Sequence, residues 1–216
     1  MTKKVEWFRN TEWNASIAEA FHAKLARARS GRDQYLVIQA MTLVHMHPKV
    51  ALELADFFLE TGDQEAGVNR IRGLEARAEA LGELKRGDEM CATYREVFAM
   101  WEAMPSLGGL ARFHYPMYVA RLKISDDYDL ALTKSHEAKD ILGSPQGAFL
   151  KSAARGLIYG DQGRTDAARI NADMAVRFGN IRRKGLSVSY DSKVIIFNDK
   201  PTLKRLFSIL RKTLSR

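Results

Sequence analysis

Cysteine is nearly missing from this chain: Cys91 stands alone among 216 residues. A lone thiol closes no internal disulfide and supplies no cysteine-based metal cage, so the expected compartment is the reducing cytoplasm. Proline is scarce as well, with 5 residues, and the remaining composition is that of a folded globular chain, not of a disordered one. The most apolar early run, YLVIQAMTLVHM at 35–46, is too short to cross a bilayer, and MTKKVEWFRN lacks the apolar segment of an export signal. Neither export nor membrane insertion is expected. Acids are missing from one region in particular. Residues 177–216 hold two, Asp191 and Asp199, against eleven Lys or Arg, whereas the other 176 residues carry 23 cations and 24 acids. The formal charge of +8 therefore belongs to the C-terminal end, and so does any attraction to an acidic partner.

What the chain has in quantity is helical periodicity. Thr11 or Asn10 is placed to cap a helix whose stripe is Trp13, Ile17, Ala20, Phe21, Leu25 and Ala28. Ser30 to Asp33 breaks it. A second helix carries Leu36, Ile38, Ala40, Met41 and Val44 to His47-Pro48, where proline suits the start of the next one. That third helix ends at Thr61-Gly62-Asp63. The same plan recurs, with two alanines seven apart on the second helix of a pair: Ala92 and Ala99, Ala131 and Ala138, Ala168 and Ala175. Ala51 holds the matching place after Pro48. The spacing predicts four helix pairs.

The stretch ARGLIYGDQGRTDAARINADMAV at 154–176 resembles a tetratricopeptide repeat, with Gly156, Tyr159, Gly163, Ala168 and Ala175 at that family's small, aromatic, turn-glycine, small and small positions. The unit at about 72–104 keeps Gly87, Ala92 and Ala99, with Pro105 following, but has Ala76 and Glu79 where the family has Trp and Leu. The resemblance covers roughly residues 32–176. It implies an all-α fold, a superhelix of stacked helix hairpins. In that register Leu36, Ala40, Leu43, Leu74, Arg77, Leu81, Lys85, Phe113, Ala120 and Lys123 face a concave groove. Such a groove, apolar with a basic fringe, suits a helix or extended peptide, and Arg77, Leu81, Lys85, Phe113 and Lys123 are the expected partner-binding residues. A competing expectation fills the groove with the chain's own C-terminal helix. Pro116 predicts a kink or a late helix start.

Beyond Phe178 the period changes. GLSVSY and KVIIF, 185–190 and 193–197, alternate like strands and predict a small C-terminal β-hairpin. From Pro201, Leu203, Leu206, Phe207, Leu210 and Leu214 form one stripe, with Lys204, Arg205, Ser208, Arg211 and Lys212 opposite, the pattern of a basic amphipathic helix. The expected organisation is an N-terminal aromatic capping helix over 1–31, helical repeats over 32–178, and the basic hairpin and helix over 179–216. Terminal units of a stack need caps, and that gives Trp7, Phe8 and Trp13 a task as a lid. A nucleobase platform beside Arg9 is the competing reading.

The residue types of catalysis are present without their spacing. His45 and His47 flank the break before Pro48, and SHEAKD at 135–140 matches the zinc-protease helix only with Asp140 in place of its second histidine. In GSPQGAFLKS, Gly147 is followed by Ala148, so no phosphate-cradling loop forms. Cys91 lies in a helix as a small filler. No catalytic constellation, metal site or cofactor is expected. The expected function is a non-enzymatic protein-interaction module, and the resemblance to tetratricopeptide-type repeats implies an adaptor, regulator or toxin-neutralising partner without any residue selecting among these. The alternative is nucleic-acid binding through Arg177, Arg182, Arg183, Lys184, Lys204 and Arg205.

Overall fold

Ten α-helices and one short 3-10 turn form the regular structure of the residues that the computed structural model describes, 6–62, 67–104, 109–138, 145–181 and 200–211. Among these residues there is no strand. The expected β-hairpin is corrected accordingly: the regular structure of the described residues is helical, and 185–197 lies outside them. Alternation over so few positions is a weak signal, since a two-stranded hairpin alone is marginal in water. None of the described helices is long and apolar enough to span a membrane. The chain divides into two units, Met1–Gly108 and Gly109–Arg216.

The first unit holds α1 (Ala15–Arg27), α2 (Arg32–Leu43), α3 (Pro48–Thr61), α4 (Gly67–Glu83) and α5 (Gly87–Ala103). Asn14, not Thr11 or Asn10, caps α1, its side chain accepting the N–H of Ile17 at 3.0 Å. Pro48 opens α3, as expected of a residue with no N–H to lose there. Helices α2 and α3 pack as one pair and α4 and α5 as another, and α4 lies against α2 and α3. Being covered on several sides, α4 buries Gly73, Leu74, Ala76, Ala78, Ala80, Leu81 and Gly82. A Cβ on Gly73 would come within 2.6 Å of the Phe58 ring, so α4 meets α3 closely there.

Before α1, Trp7 and Phe8 fold onto Tyr35 with ring centroids 4.9 and 4.6 Å away, and Trp7 and Trp13 each lie 5.6 Å from Phe21. An amide exchange pins this layer. The fully buried Gln39 accepts the backbone N–H of Asn10 at 3.0 Å and its side-chain amide at 2.9 Å, and donates to the Asn10 carbonyl at 2.8 Å.

The second unit holds α6 (Ala111–Leu122), the 3-10 turn Ser125–Asp127, α7 (Tyr128–Glu137), α8 (Pro145–Asp161), α9 (Thr165–Ile181) and α10 (Lys200–Arg211). Helices α6 and α7 form one packed pair, α8 and α9 the other, and α8 also touches α6, α7 and α10. Pro116 falls inside α6, which corrects the expected late start. The helix survives the proline because everything from Phe113 to Ala120 is buried, tertiary packing outweighing a missing backbone bond. Gly156 lets α9 approach: a Cβ there would stand 3.0 Å from the Ala172 backbone nitrogen.

The four expected helix pairs are thus present as packed neighbours, but the alanine register needs correcting. Ala51, Ala131, Ala138, Ala168 and Ala175 are buried, whereas Ala92 and Ala99 are exposed. On α5 the seam is made by Met90, Tyr94, Val97 and Trp101, and α4 supplies the small residues instead. A truer repeat marker is a left-handed residue, at Lys85 (φ 61), Lys123 (φ 57) and Gly163 (φ 73), closing α4, α6 and α8. In each turn the next N–H returns five residues, from Arg86 to Leu81, Ile124 to Val119 and Arg164 to Tyr159, at 2.9, 3.1 and 2.9 Å.

Two outcomes follow from these turns and from the amide exchange. Lys85→Gly and Lys123→Gly should each raise stability by up to about 1 kcal/mol, because a left-handed L-residue is strained, while Glu53→Gly inside α3 should lose about that much. Thermal melting decides, and a loss at both turn positions refutes the strain. Gln39→Leu should cost about 1–3 kcal/mol by leaving the Asn10 groups without their partner and should open Trp7 to acrylamide quenching. Unchanged quenching would show that the rings hold without the amides.

Candidate functional site

The residues expected to line a groove are placed as follows. The guanidinium of Arg77 donates to Asp56 Oδ1 at 2.7 Å and to the Thr93 hydroxyl, joining α3, α4 and α5. Leu81 is fully buried and Phe113 is 3% exposed. Gly147 sits against the Phe113 ring, at 3.1 Å from where its Cβ would be. Leu36, Ala40, Leu43, Leu74 and Ala120 are buried too. Lys85 and Lys123 are exposed at the left-handed turns, one in each unit. The apolar floor assigned to the groove is therefore core. A stripe on the first helix of each pair is covered from more than one side, which periodicity along a single helix does not reveal.

The basic end is organised differently. The α10 sequence KPTLKRLFSILR carries four cations and no acid. It packs on α8 and α9, burying Thr202 and Leu206 and setting Ile209 over Gly160, where a Cβ would meet it at 2.9 Å. Arg205, expected on the wet face, turns inward. It donates through Nη1 to the Ala120 carbonyl at the end of α6, at 2.7 Å, and through Nη2 to Asp161 Oδ2 at the end of α8, at 2.8 Å. The same oxygen accepts the Tyr128 hydroxyl of α7 at 2.8 Å. One guanidinium thus connects α10 with α6 and α8 directly, and with α7 through Asp161.

Burial, then the hydrogen bond to Asp161 and that carboxylate's charge, push the Tyr128 phenol above its ordinary value, with Arg205 acting weakly the other way. The outward side of α10 presents Lys200, Lys204, Phe207, Ser208 and Arg211, with Phe207 41% exposed. The expected stripe keeps Leu206 on the inward side but is otherwise corrected: Thr202 is buried and Ile209 lies over Gly160, while Phe207 faces water. Arg177, exposed on α9, pairs with Asp173 at 2.8 Å. Arg182, Arg183 and Lys184 lie outside the described residues.

Elsewhere the polar clusters have structural partners. Glu137 pairs with Lys134 at 3.1 Å and Arg112 at 3.7 Å. At the C-terminal end of α7 the Ser135 carbonyl accepts from Arg155 at 2.6 Å, and the carbonyl of the capping Ala138 accepts from Lys151 at 3.2 Å. Partial burial and these two cations lower the His136 pKa. His45 faces Glu83 at 3.2 Å, and Cys91 is buried. Among the described residues no group of three or more His, Cys, Asp or Glu is arranged to hold a metal.

Arg205→Met keeps the stem and removes the charged bonds, worth about 1.5–3 kcal/mol. The α10 amides should lose hydrogen-exchange protection relative to those of α8, and equal protection would show that apolar packing alone holds the helix. A phenol whose pKa is higher folded than unfolded binds its proton more tightly in the folded state, so its contribution is complete below about pH 10 and is lost as pH rises beyond it. Tyr128→Phe should therefore flatten the alkaline loss of stability, measured by denaturant melts. A parallel loss in the parent and Tyr128→Phe would remove Tyr128 from that role. Comparison with known proteins finds no match to this chain, whether among protein-family models, curated proteins or solved structures.

Proposed function

We propose that the protein is a non-enzymatic binding module for nucleic acid, engaged through the outward face of α10. The observation that carries this reading is a helix with four cations and no acid, anchored through Arg205 and Leu206 so that Lys200, Lys204 and Arg211 stay on the water side. Lys200 and Lys204 are one turn apart, about 6 Å along the axis, a spacing at which successive phosphates can be neutralised, with counterion release supplying the affinity. The eleven-to-two surplus of cations over acids in the last forty residues supports the same partner. The packed helix pairs and the shared left-handed turn support a divergent tetratricopeptide-like scaffold behind this face, and the single buried Cys91 suits the cytoplasm.

A protein partner is the second reading, favoured by a different observation. Helix α9 exposes Ile170 at 55% and Met174 at 43%, one turn apart, a ridge of the kind that meets an amphipathic helix.

Binding of labelled RNA and DNA across a salt series tests the first reading. Affinity should fall steeply with salt, and joint replacement of Lys200, Lys204 and Arg211 by alanine should lower the log–log slope on duplex DNA by about 2 to 3. If neither nucleic acid shows salt-sensitive binding, the reading is wrong. Loss of partner capture by Ile170→Glu with nucleic-acid binding intact would favour the second.

A further inference from the structure

Phe207 stands on the same outward side of α10 as the cations that the nucleic-acid reading uses. It lies three residues after Lys204 and four before Arg211, and on a helix surface those are neighbouring positions. A ring 41% exposed is therefore bracketed by a lysine on one side and an arginine on the other, with exposed Ser208 beside it. Phosphate contact alone needs only the charges. In a duplex the base faces are covered by their neighbours in the stack, whereas an unpaired base offers its face to an aromatic side chain. Cations that follow a backbone together with an aromatic ring are what a single strand requires.

We infer that the α10 face binds single-stranded nucleic acid, an unpaired base stacking on Phe207 while Lys204 and Arg211 hold the phosphates on either side. This rests on the nucleic-acid reading above and names its substrate class. A bilayer is the poorer occupant. A helix lying on a membrane inserts its apolar side, and here Thr202 and Leu206 are already buried against the protein, with Ile209 seated on Gly160. An acidic peptide would satisfy the cations but has no need of the ring.

The test uses the full chain and fluorescence anisotropy with labelled oligothymidylate, oligouridylate and a mixed-sequence DNA duplex. Phe207→Ala should weaken binding to the single strands about 5- to 140-fold, leave the duplex within about twofold, and leave the salt slope unchanged. Phe207→Trp should restore single-strand binding. Lys204→Ala should lower the single-strand slope by about 0.7. A loss on both single strands assigns recognition to the base, and a loss on one of them alone overturns stacking, because both bases offer the same face. Equal weakening of single strand and duplex, or no change in either, refutes stacking while leaving the cationic surface standing. Absence of salt-dependent binding to all three probes removes both readings. Phosphatidylserine vesicles or polyglutamate that lose binding on Phe207→Ala, with the oligonucleotides unaffected, would overturn the inference in favour of a membrane or an acidic peptide. Because the ring is exposed, thermal melting of Phe207→Ala should match the parent, so that a loss of binding is not a loss of fold.

Discussion

A pair of amphipathic helices has more apolar surface than the two can hide from water between them, and that constraint shapes both units of this protein. Each pair needs a third element against its open side. In the first unit α4 meets both helices of the preceding pair, and in the second α8 does the same. The consequence is visible in composition: the buried positions of α4 are mostly glycine, alanine and leucine, and α8 sets Ala153, Ala154 and Gly156 among larger buried residues such as Phe149 and Ile158, so that small residues admit the close neighbours.

At the ends of such arrays the covering is done by elements that are not repeats. Trp7, Phe8 and Trp13 do it at the start of the first unit, and α10 does it in the second. Both coverings use the same division of labour. Apolar groups supply most of the energy, since burying a large side chain is worth about 1.5–3 kcal/mol. A small polar lock then selects one orientation, the Asn10–Gln39 amide exchange in one case and the Arg205 guanidinium in the other. Such bonds contribute a modest net stability when made, more where a charged group takes part, and they also penalise any arrangement that leaves their partners buried and unmatched. They specify orientation more than they hold it.

How much of this could be read from the chain follows from what one-dimensional patterns encode. Breaks at Ser30–Asp33, His47-Pro48, Gly62 and Gly163 and a period near 3.6 were enough to place the helices and to group them into pairs. The alanine register failed at Ala92 and Ala99 because a close seam needs a small residue on either helix, and the pattern does not say which; here α4 provides it. The groove failed at Leu81 and Phe113 because periodicity identifies an apolar face without counting its neighbours. Arg205 and Phe207 exchanged their expected sides for a related reason. An arginine can lay its stem on apolar surface and spend its fork on carbonyls and carboxylates, so an inward cation and an outward ring look like the reverse in a helical projection. The spacing of Lys85, Lys123 and Gly163, 38 and 40 residues, was present in the sequence all along, but two lysines in left-handed turns carry no signature comparable to glycine.

The close approach of α8 and α9 at Gly156 also bears on the order in which the second unit assembles. These helices are joined by a tight turn, so bringing them together closes a short loop and costs little chain entropy. Helix α10 reaches the same surface only across residues 182–199 and must find α6 and α8 together before Arg205 has both acceptors. On chain entropy alone the α8–α9 hairpin is the cheaper closure and the seating of α10 the costlier one. The cationic face is therefore a fixed surface only where α10 is seated, with Leu206 buried and Arg205 holding both acceptors.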